Sequence, residues 1–410
     1  MASDEGARTA AGVQVVVDTP LLHLDRPFTY RIPPAIAEAG TPVPFGARVK
    51  VPFSGRRSVD GWVVGHTADL PEGVKDVLKV VSPLPAFDAG TLRVARWVAD
   101  RYVSTLSDAL RLVLPPRVAA VEKGRAAAGE AGAAPKGEAG GQAGGEPSGD
   151  ARDARDARRP LAGGLPADGV VWWRPLPGED RGRRIANLVE AALARGLGVV
   201  VVVPEVVAGS PVADALRSRV GADDLADLSG AGSDRERYRC WLDLAEGRRR
   251  VALGGRSAVF APVRRLGLVV VDDEASHALK EQRTPRYHAR EVAVERARAE
   301  GALCLLTATV PSAAVVAAVK EKRWKPLLPD RDRVRRAAPL VEVVDPDDEG
   351  PAGARLHPRA LRALRDALRR GESGYVLVPR RGRAGDGSPT ARTAGQVAAQ
   401  LGKVLPGVKV

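Results

Sequence analysis

Three carboxylates in a row, Asp272-Asp273-Glu274, close the hydrophobic run Leu268-Val269-Val270-Val271 and are the residues of this chain best placed for chemistry. A short β-branched run of this kind, after Gly267, reads as a strand buried on both faces, the usual state of a central parallel strand. Ligands of such sheets gather at the carboxyl ends of the strands. Acidic residues there can hold Mg²⁺ beneath a nucleotide phosphate, and a neighbouring carboxylate can position the attacking water. A plainer reading stands beside this one, because carboxylates after a strand also begin polar turns and cap helices.

The elements that must position these carboxylates alternate along the chain. Residues 170–173, 198–203, 251–253 and 302–306 read as further strands, and 185–195, 234–246 and 289–300 as helices, which means a parallel sheet with right-handed crossovers. From about residue 336, a strand at 341–344, a helix at 358–370 and a strand at 375–378 begin a second α/β unit. Ahead of the first unit, short runs at 13–17, 43–53 and 60–64 suggest a small β-rich barrel or sandwich. One long helix over 92–113 follows, with Val94, Trp97, Val98 and Tyr102 along one face, and stops before Pro115-Pro116. Between the two regions, residues 118–168 carry almost no large apolar side chain and read as a flexible linker. The resulting organisation is a β-rich region over 1–117, the linker over 118–168, a parallel-sheet lobe over 169–335 and a partial second lobe over 336–410.

Composition narrows the partners. Lys and Arg number 63 against 50 for Asp and Glu, a net charge of +13 over 410 residues, so the default partner is a polyanion, nucleic acid before membrane. The scarcity of Met, Phe and Tyr beside abundant Ala, Arg, Gly and Val points to a compositional bias, which leaves a solvated basic surface as the plain alternative. The two cysteines, Cys240 and Cys304, are far apart in sequence and read as small core residues of a reducing compartment. No run reaches the length of a membrane span, and the N-terminus lacks the pattern of a secretory signal, so a soluble, cytoplasmic protein is expected.

The order of the motifs is distinctive. Gly255-Arg256-Ser257-Ala258-Val259-Phe260-Ala261-Pro262 precedes the acidic strand, Arg286-Tyr287-His288-Ala289-Arg290-Glu291 follows it, and then come Thr307-Ala308-Thr309-Val310-Pro311 and Val378-Pro379-Arg380-Arg381-Gly382. Together with Leu24-Asp25-Arg26-Pro27-Phe28-Thr29-Tyr30 and Arg48-Val49-Lys50-Val51-Pro52-Phe53, this series resembles the PriA family of replication restart proteins, which are superfamily 2 DNA helicases. The resemblance implies a RecA-like α/β lobe, with an incomplete second lobe, behind a small β-rich domain that binds the 3′ end of the leading strand at a fork. It also implies ATP with Mg²⁺ and zinc as cofactors. The implied partners are forked DNA, primosome proteins, the replicative helicase loader and single-stranded DNA-binding protein.

Several departures bear on activity. A phosphate cradle, Gly-x-x-x-x-Gly-Lys-[Ser/Thr], wraps the phosphates with backbone amides while Lys neutralises them and the hydroxyl binds Mg²⁺. No Gly-Lys-Thr occurs in the chain, and the corresponding stretch is Arg174-Pro175-Leu176-Pro177-Gly178-Glu179-Asp180-Arg181-Gly182-Arg183. Laid over the family pattern, Gly178, Arg181 and Gly182 are the degenerate nucleotide contacts, with Arg181 near the Lys and Gly182 near the hydroxyl residue. The prolines remove amide donors, and Glu179 and Asp180 place negative charge where phosphate would lie. The acidic motif departs too, since the family reads Asp-Glu-Glu-His where this chain has Asp272-Asp273-Glu274-Ala275; His277 reads as an exposed loop residue. The family's zinc segment has no counterpart, because Arg383 passes directly into Ala384-Gly385-Asp386-Gly387-Ser388-Pro389 without a cysteine. Later motifs of the second lobe would lie beyond Val410, so a shortened or fragmentary gene product is expected, with a function that tolerates the loss as the alternative. No cofactor is therefore assigned.

For DNA, the resemblance places Phe28 and Lys75 in the pocket for a terminal 3′ nucleotide, with Thr29 in place of the family's aspartate. It places Lys280, Arg286, Tyr287 and Arg290 in an aromatic-rich loop that senses DNA, and Pro285 stands where that loop carries tryptophan. Arg256 joins them as a phosphate contact. The plain readings are that Phe28 and Tyr287 pack in cores and that Arg286 and Arg290 lie on a solvated helix start. The expected function is fork recognition and primosome assembly without helicase activity. An ATP-dependent 3′ to 5′ helicase is the alternative, and a scaffold that binds only protein is a more distant third.

Overall fold

Alternating and continuous valine runs sort this chain into two sheets of different kinds. The computed structural model describes residues 12–53, 57–131, 164–204, 209–229, 232–344, 357–377 and 394–405. Strands β1 (Gly12–Val17), β2 (Phe28–Arg31), β3 (Arg48–Pro52), β4 (Ser58–Thr67) and β5 (Lys79–Ser82) form an antiparallel sheet in the order β2-β1-β4-β3-β5. Because side chains alternate along a strand, one face gathers Val13, Val15, Val49, Val51, Val63 and Tyr30 into a core of its own, while Val16 and Trp62 project from the other.

The helix expected over 92–113 is two helices, Ala89–Arg101 and Leu106–Val113. Val103 at φ 51° is the break, since a β-branched residue in the left-handed region cannot continue a helix. Thr105 then caps the second helix, its hydroxyl accepting from the Asp108 amide at 3.0 Å.

Seven parallel strands follow: β6 (Gly169–Trp173), β7 (Gly198–Val202), β8 (Leu225–Asp227), β9 (Val251–Gly254), β10 (Leu266–Val271), β11 (Leu303–Thr307) and β12 (Lys325–Leu327). Their order is β12-β6-β11-β10-β7-β9-β8, which puts β10, buried at every residue, in the middle. The α/β lobe with a RecA-like parallel sheet is thus as the sequence reads. Strands β8 and β12, which sequence reasoning missed, are three-residue edge strands too short to show a period.

The two sheets do not form separately packed domains. Val16, Trp62, Phe87, Val98 and Leu110 belong to one hydrophobic cluster with Trp172, Val200, Trp241, Phe260 and Val292, and one compact unit runs through Met1–Ala338. The stretch expected as linker begins as a helix, Ala119–Ala131, tied down by charge. The buried Glu122 carboxylate accepts from Arg117 and Tyr238 at 2.5 Å and from Ser82 at 2.8 Å, and Arg125 reaches Asp243 at 2.6 Å and Glu246 at 2.7 Å. Its first turns carry Val121, Glu122 and Arg125, so low complexity begins later than the composition suggests. The rest of that stretch, 132–163, lies outside the described residues.

The second unit, Pro339–Val410, contains the helices Pro358–Arg369 and Ala394–Val404. Strands expected at 341–344 and 375–378 are not formed among the described residues, where Val341, Val343, Tyr375 and Leu377 are exposed. A β-branched run becomes a strand only where a neighbouring strand takes its backbone hydrogen bonds, and among the described residues none pairs with these segments. Among the described residues the second unit is therefore helices without a strand. Residues 378–393, which include the Arg-Arg-Gly motif, are outside the described set. Among the described residues no helix is long and apolar enough to cross a membrane, and no three His, Cys, Asp or Glu side chains gather as a metal group.

Candidate functional site

Strand β10 delivers the three carboxylates to different places. Asp272 is 6 % exposed and pairs with Arg181, Nη1 to Oδ1 at 3.2 Å, across the carboxyl ends of the sheet. Burial raises its carboxyl above the usual range, and the Arg181 guanidinium only partly offsets this. Asp273 turns the chain at φ 46°, a left-handed conformation that Asp tolerates better than most residues and that functional turns often store. Glu274 is fully buried. It accepts from Arg290 Nη1 at 2.8 Å and from the Ser312 amide at 2.8 Å, so it ties the end of β10 to the residue that caps helix Ala313–Lys320. Glu274 therefore holds two loops together and does not face a ligand.

The loop after β6 is already full of its own charge. Glu179 accepts from the Leu176 amide at 2.8 Å and from Arg184 at 2.6 Å, and Asp180 caps helix Arg181–Ala194 by accepting from the Arg183 amide at 2.9 Å. These amides are the donors a phosphate would need. Gly178, at φ 72°, makes the turn without contributing a nest. Gly182 is where a Mg²⁺-binding hydroxyl would stand, yet a Cβ there would lie 2.2 Å from the Pro211 carbonyl oxygen, so the helix packs too closely for any side chain. Triphosphate with Mg²⁺ does not fit these residues: Arg181 is committed to Asp272, the Leu176 and Arg183 amides are taken by carboxylates, and the hydroxyl has no room.

The segment 280–290 is more buried than its expected role requires. Tyr287 is 1 % exposed and stacks edge-to-face on Phe260 with centroids 5.1 Å apart, so it presents no face to a base. Arg290, 7 % exposed, serves Glu274. The Lys280 ammonium donates to the Arg286 carbonyl and sits 5.2 Å over the Tyr102 ring. Tyr287, Arg290 and Lys280 are thus each engaged by a partner within the fold. Arg286 is exposed and has no ion pair among the described residues, and Arg256 is 37 % exposed while bonded to Glu281 at 3.0 Å. His288, driven down to about 4 by burial and then by Arg290 and Lys280, stays neutral, so its Nδ1 accepts from the Arg290 amide at 3.2 Å and caps the helix. His277 is exposed, as expected.

The N-terminal sheet does bring its expected residues together. Phe28, Thr29 and Lys75 line one open pocket of about 480 Å³, closed on its other sides by Pro52, Phe53 and the Pro71-Glu72-Gly73-Val74 loop. Phe28 and Phe53 meet edge-to-face at 5.7 Å, and the Arg26 guanidinium sits 5.2 Å from the Phe28 ring. Lys75 is exposed and has no ion pair among the described residues, and the Arg31 amide donates to its carbonyl at 2.9 Å, which fixes the loop on the strand. Arg26 was missed by sequence reasoning, although its place two residues before Phe28 on an extended chain is a usable signal, since such residues share a side.

Residues 14–115 match the family model described as the PriA 3′DNA-binding domain. The probable replication restart protein PriA of Mycobacterium bovis is 36 % identical over 368 residues, 88 % of this chain and 54 % of that protein. The PriA of Treponema pallidum is 31 % identical over 390 residues, 91 % and 54 % respectively, and that of Bacillus subtilis is 29 % identical over 197 residues, 47 % and 24 %. The chain spans about half the length of the first two relatives.

Proposed function

Because the chain belongs to the PriA family of replication restart proteins, we propose that it recognises stalled or abandoned DNA forks and promotes primosome assembly there without driving unwinding itself. The observation that carries this reading is the open pocket of Phe28, Thr29 and Lys75 inside the segment that matches the 3′ DNA-binding domain. An aromatic wall takes the terminal base or sugar, Thr29 offers a hydroxyl to the 3′ hydroxyl, and Lys75 meets the adjoining phosphate. Thr29 is neutral where the family carries a carboxylate, so it accepts the 3′ hydroxyl less strongly. Arg286, exposed and unpaired, adds a sequence-independent phosphate contact. The protein partners in this reading are primosome proteins, the replicative helicase loader and single-stranded DNA-binding protein. Cytoplasmic action follows from that role. Nucleotide has no part in this reading, which the pairing of Arg181 with Asp272 where triphosphate would bind supports.

The test uses the whole chain, because residues 1–117 alone would expose the apolar face that Trp62 and Phe87 bury. Fluorescence anisotropy should give tighter binding to a fork with a free 3′ hydroxyl than to the same fork ending in a 3′ phosphate. Equal affinities would refute the end pocket, and DNA-stimulated ATP hydrolysis lost on substituting Arg181 or Asp272 would refute the passive role.

A further inference from the structure

Asp25 stands one residue before Arg26, yet its side chain turns away from the pocket that Arg26 and Phe28 line. It lies near the end of the connection between β1 and β2, residues 18–27. The short turn Leu22–Leu24 closes when the Asp25 amide donates to the Leu22 carbonyl at 3.1 Å, and the carboxyl then meets the helix pair, where it is 15 % exposed. Its Oδ2 accepts from Arg96 Nη1 at 2.7 Å, and its Oδ1 accepts from the Leu106 amide at 2.9 Å.

These two donors belong to different helices. Arg96 lies in Ala89–Arg101, and Leu106 is the first residue of Leu106–Val113, so one carboxylate spans the break at Val103. The Leu106 amide has no acceptor inside its own helix, and the positive end of that helix favours an anion. The start of the connection is fastened to the same helix: Ser107 Oγ donates to the Thr19 carbonyl at 2.6 Å, and Arg111 Nε donates to Asp18 Oδ1 at 2.5 Å. Asp25 fastens its end, beside the pocket.

From Asp25 to Phe28 the backbone has little freedom. Arg26 precedes a proline and is confined to extended conformations, and Pro27 has a fixed φ. Phe28 is pinned opposite Val15 in the ladder of β1 and β2. A shift at Asp25 is therefore taken up by Arg26, whose guanidinium stands 5.2 Å from the centroid of the Phe28 ring. We infer that Asp25 is a positioning residue of the end pocket: it touches no DNA itself, and its bonds to the two helices hold Arg26 over the Phe28 ring, ready for the terminal nucleotide. A guanidinium already in place spares binding the cost of ordering a long side chain. The inference rests on the reading of this pocket as the 3′-end site.

The experiment uses the whole chain and has two readouts. Anisotropy gives the ratio of affinities for a fork with a free 3′ hydroxyl and the same fork ending in a 3′ phosphate. The blocked end stays out of the pocket, so a general loss of DNA affinity cancels in the ratio. Asp25→Ala should lower the ratio about two- to fivefold, the worth of one exposed guanidinium contact. Arg96→Ala, although outside the pocket, should lower it as well, and the double variant should be no worse than Asp25→Ala alone, since both changes act through one contact. Asp25→Asn, which keeps an oxygen for the Leu106 amide, should restore part of the ratio.

The second readout needs no DNA. The chain has five phenylalanines, so 4-fluorophenylalanine gives few fluorine resonances, and Phe28→Leu identifies that of Phe28. Asp25→Ala should move this resonance more than those of Phe45, Phe87 and Phe260, because Arg26 leaves the ring. Circular dichroism melts fix a temperature at which each variant is folded; if Asp25→Ala does not fold, Asp25→Asn and Arg96→Ala decide. An unchanged ratio, or a Phe28 resonance that stays in place, in the folded variants would overturn the inference. Failure of the end pocket looks different: the unsubstituted protein would bind both ends alike, and the fluorine signal alone would then decide whether Asp25 places Arg26.

Discussion

The pocket at Phe28 and the loop at Arg181 contain similar ingredients, a cation beside a turn of proline, glycine and glutamate, and dispose of them in opposite ways. In the first, Gly73 turns at φ 71° and Lys75 and Glu72 both stand exposed without an ion pair among the described residues. In the second, Gly178 turns at φ 72°, but Glu179 takes a backbone amide and Arg184, Asp180 caps the helix, and Arg181 is locked to Asp272. A binding site needs donors left over after folding, and in the second region the cation that would meet a phosphate is already paired. Charge by itself does not mark a site, because a cation that has found a buried partner is part of the scaffold.

The largest effect that would test this contrast lies beneath the closed site. Replacing Glu274 by Ala strands the buried Arg290 guanidinium, and thermal or urea unfolding should show a loss of about 3–5 kcal/mol. A loss below 1 kcal/mol would mean that Glu274 is free to serve a ligand after all. Next comes Gly182→Thr, the change that would restore the hydroxyl. It should cost about 1–3 kcal/mol, because the new Cβ meets the Pro211 carbonyl, and Mg·ATP should not shift the melting temperature of this variant or of the parent. A stabilising shift with Mg·ATP would break the comparison outright.

In the open pocket, Lys75→Ala should reduce the preference for a 3′ hydroxyl about tenfold, roughly 1.4 kcal/mol, while leaving the melting temperature unchanged, since Lys75 makes no ion pair to lose. The smallest effect separates the two regions by pH. Burial holds the Asp272 carboxyl above its ordinary range, so its ionisation penalises the folded state increasingly as pH rises through that raised value. Asp272→Asn should therefore raise the melting temperature by about 1–2 °C at neutral pH, and the gain should vanish below about pH 4, where both states are protonated. A lower melting temperature at neutral pH would show that the Arg181 pair outweighs desolvation.

Legibility followed the length of each signal. The valine runs of β6, β7 and β10 announced a parallel sheet because continuous burial on both faces leaves no other pattern. The loss of the phosphate cradle was equally plain, as it rests on residue types alone. The three-residue strands β8 and β12 left no period to read, and the single residue Val103 divided a helix that its apolar spacing had joined.

Tertiary structure decided which of the candidate residues are free. Tyr287, Arg290 and Lys280 have the composition of a DNA-contacting loop, but their ring and charges are taken by Phe260, Glu274, Tyr102 and the Arg286 carbonyl. Phe28, Thr29 and Lys75, separated by more than forty residues, meet in one pocket only because β2 and the loop before β5 lie side by side. The residues by themselves determined which chemical groups this stretch of chain can offer. Whether a charged group is spent on folding or left for a ligand depends on what lies within about 3 Å of it, and only the packed chain sets that distance.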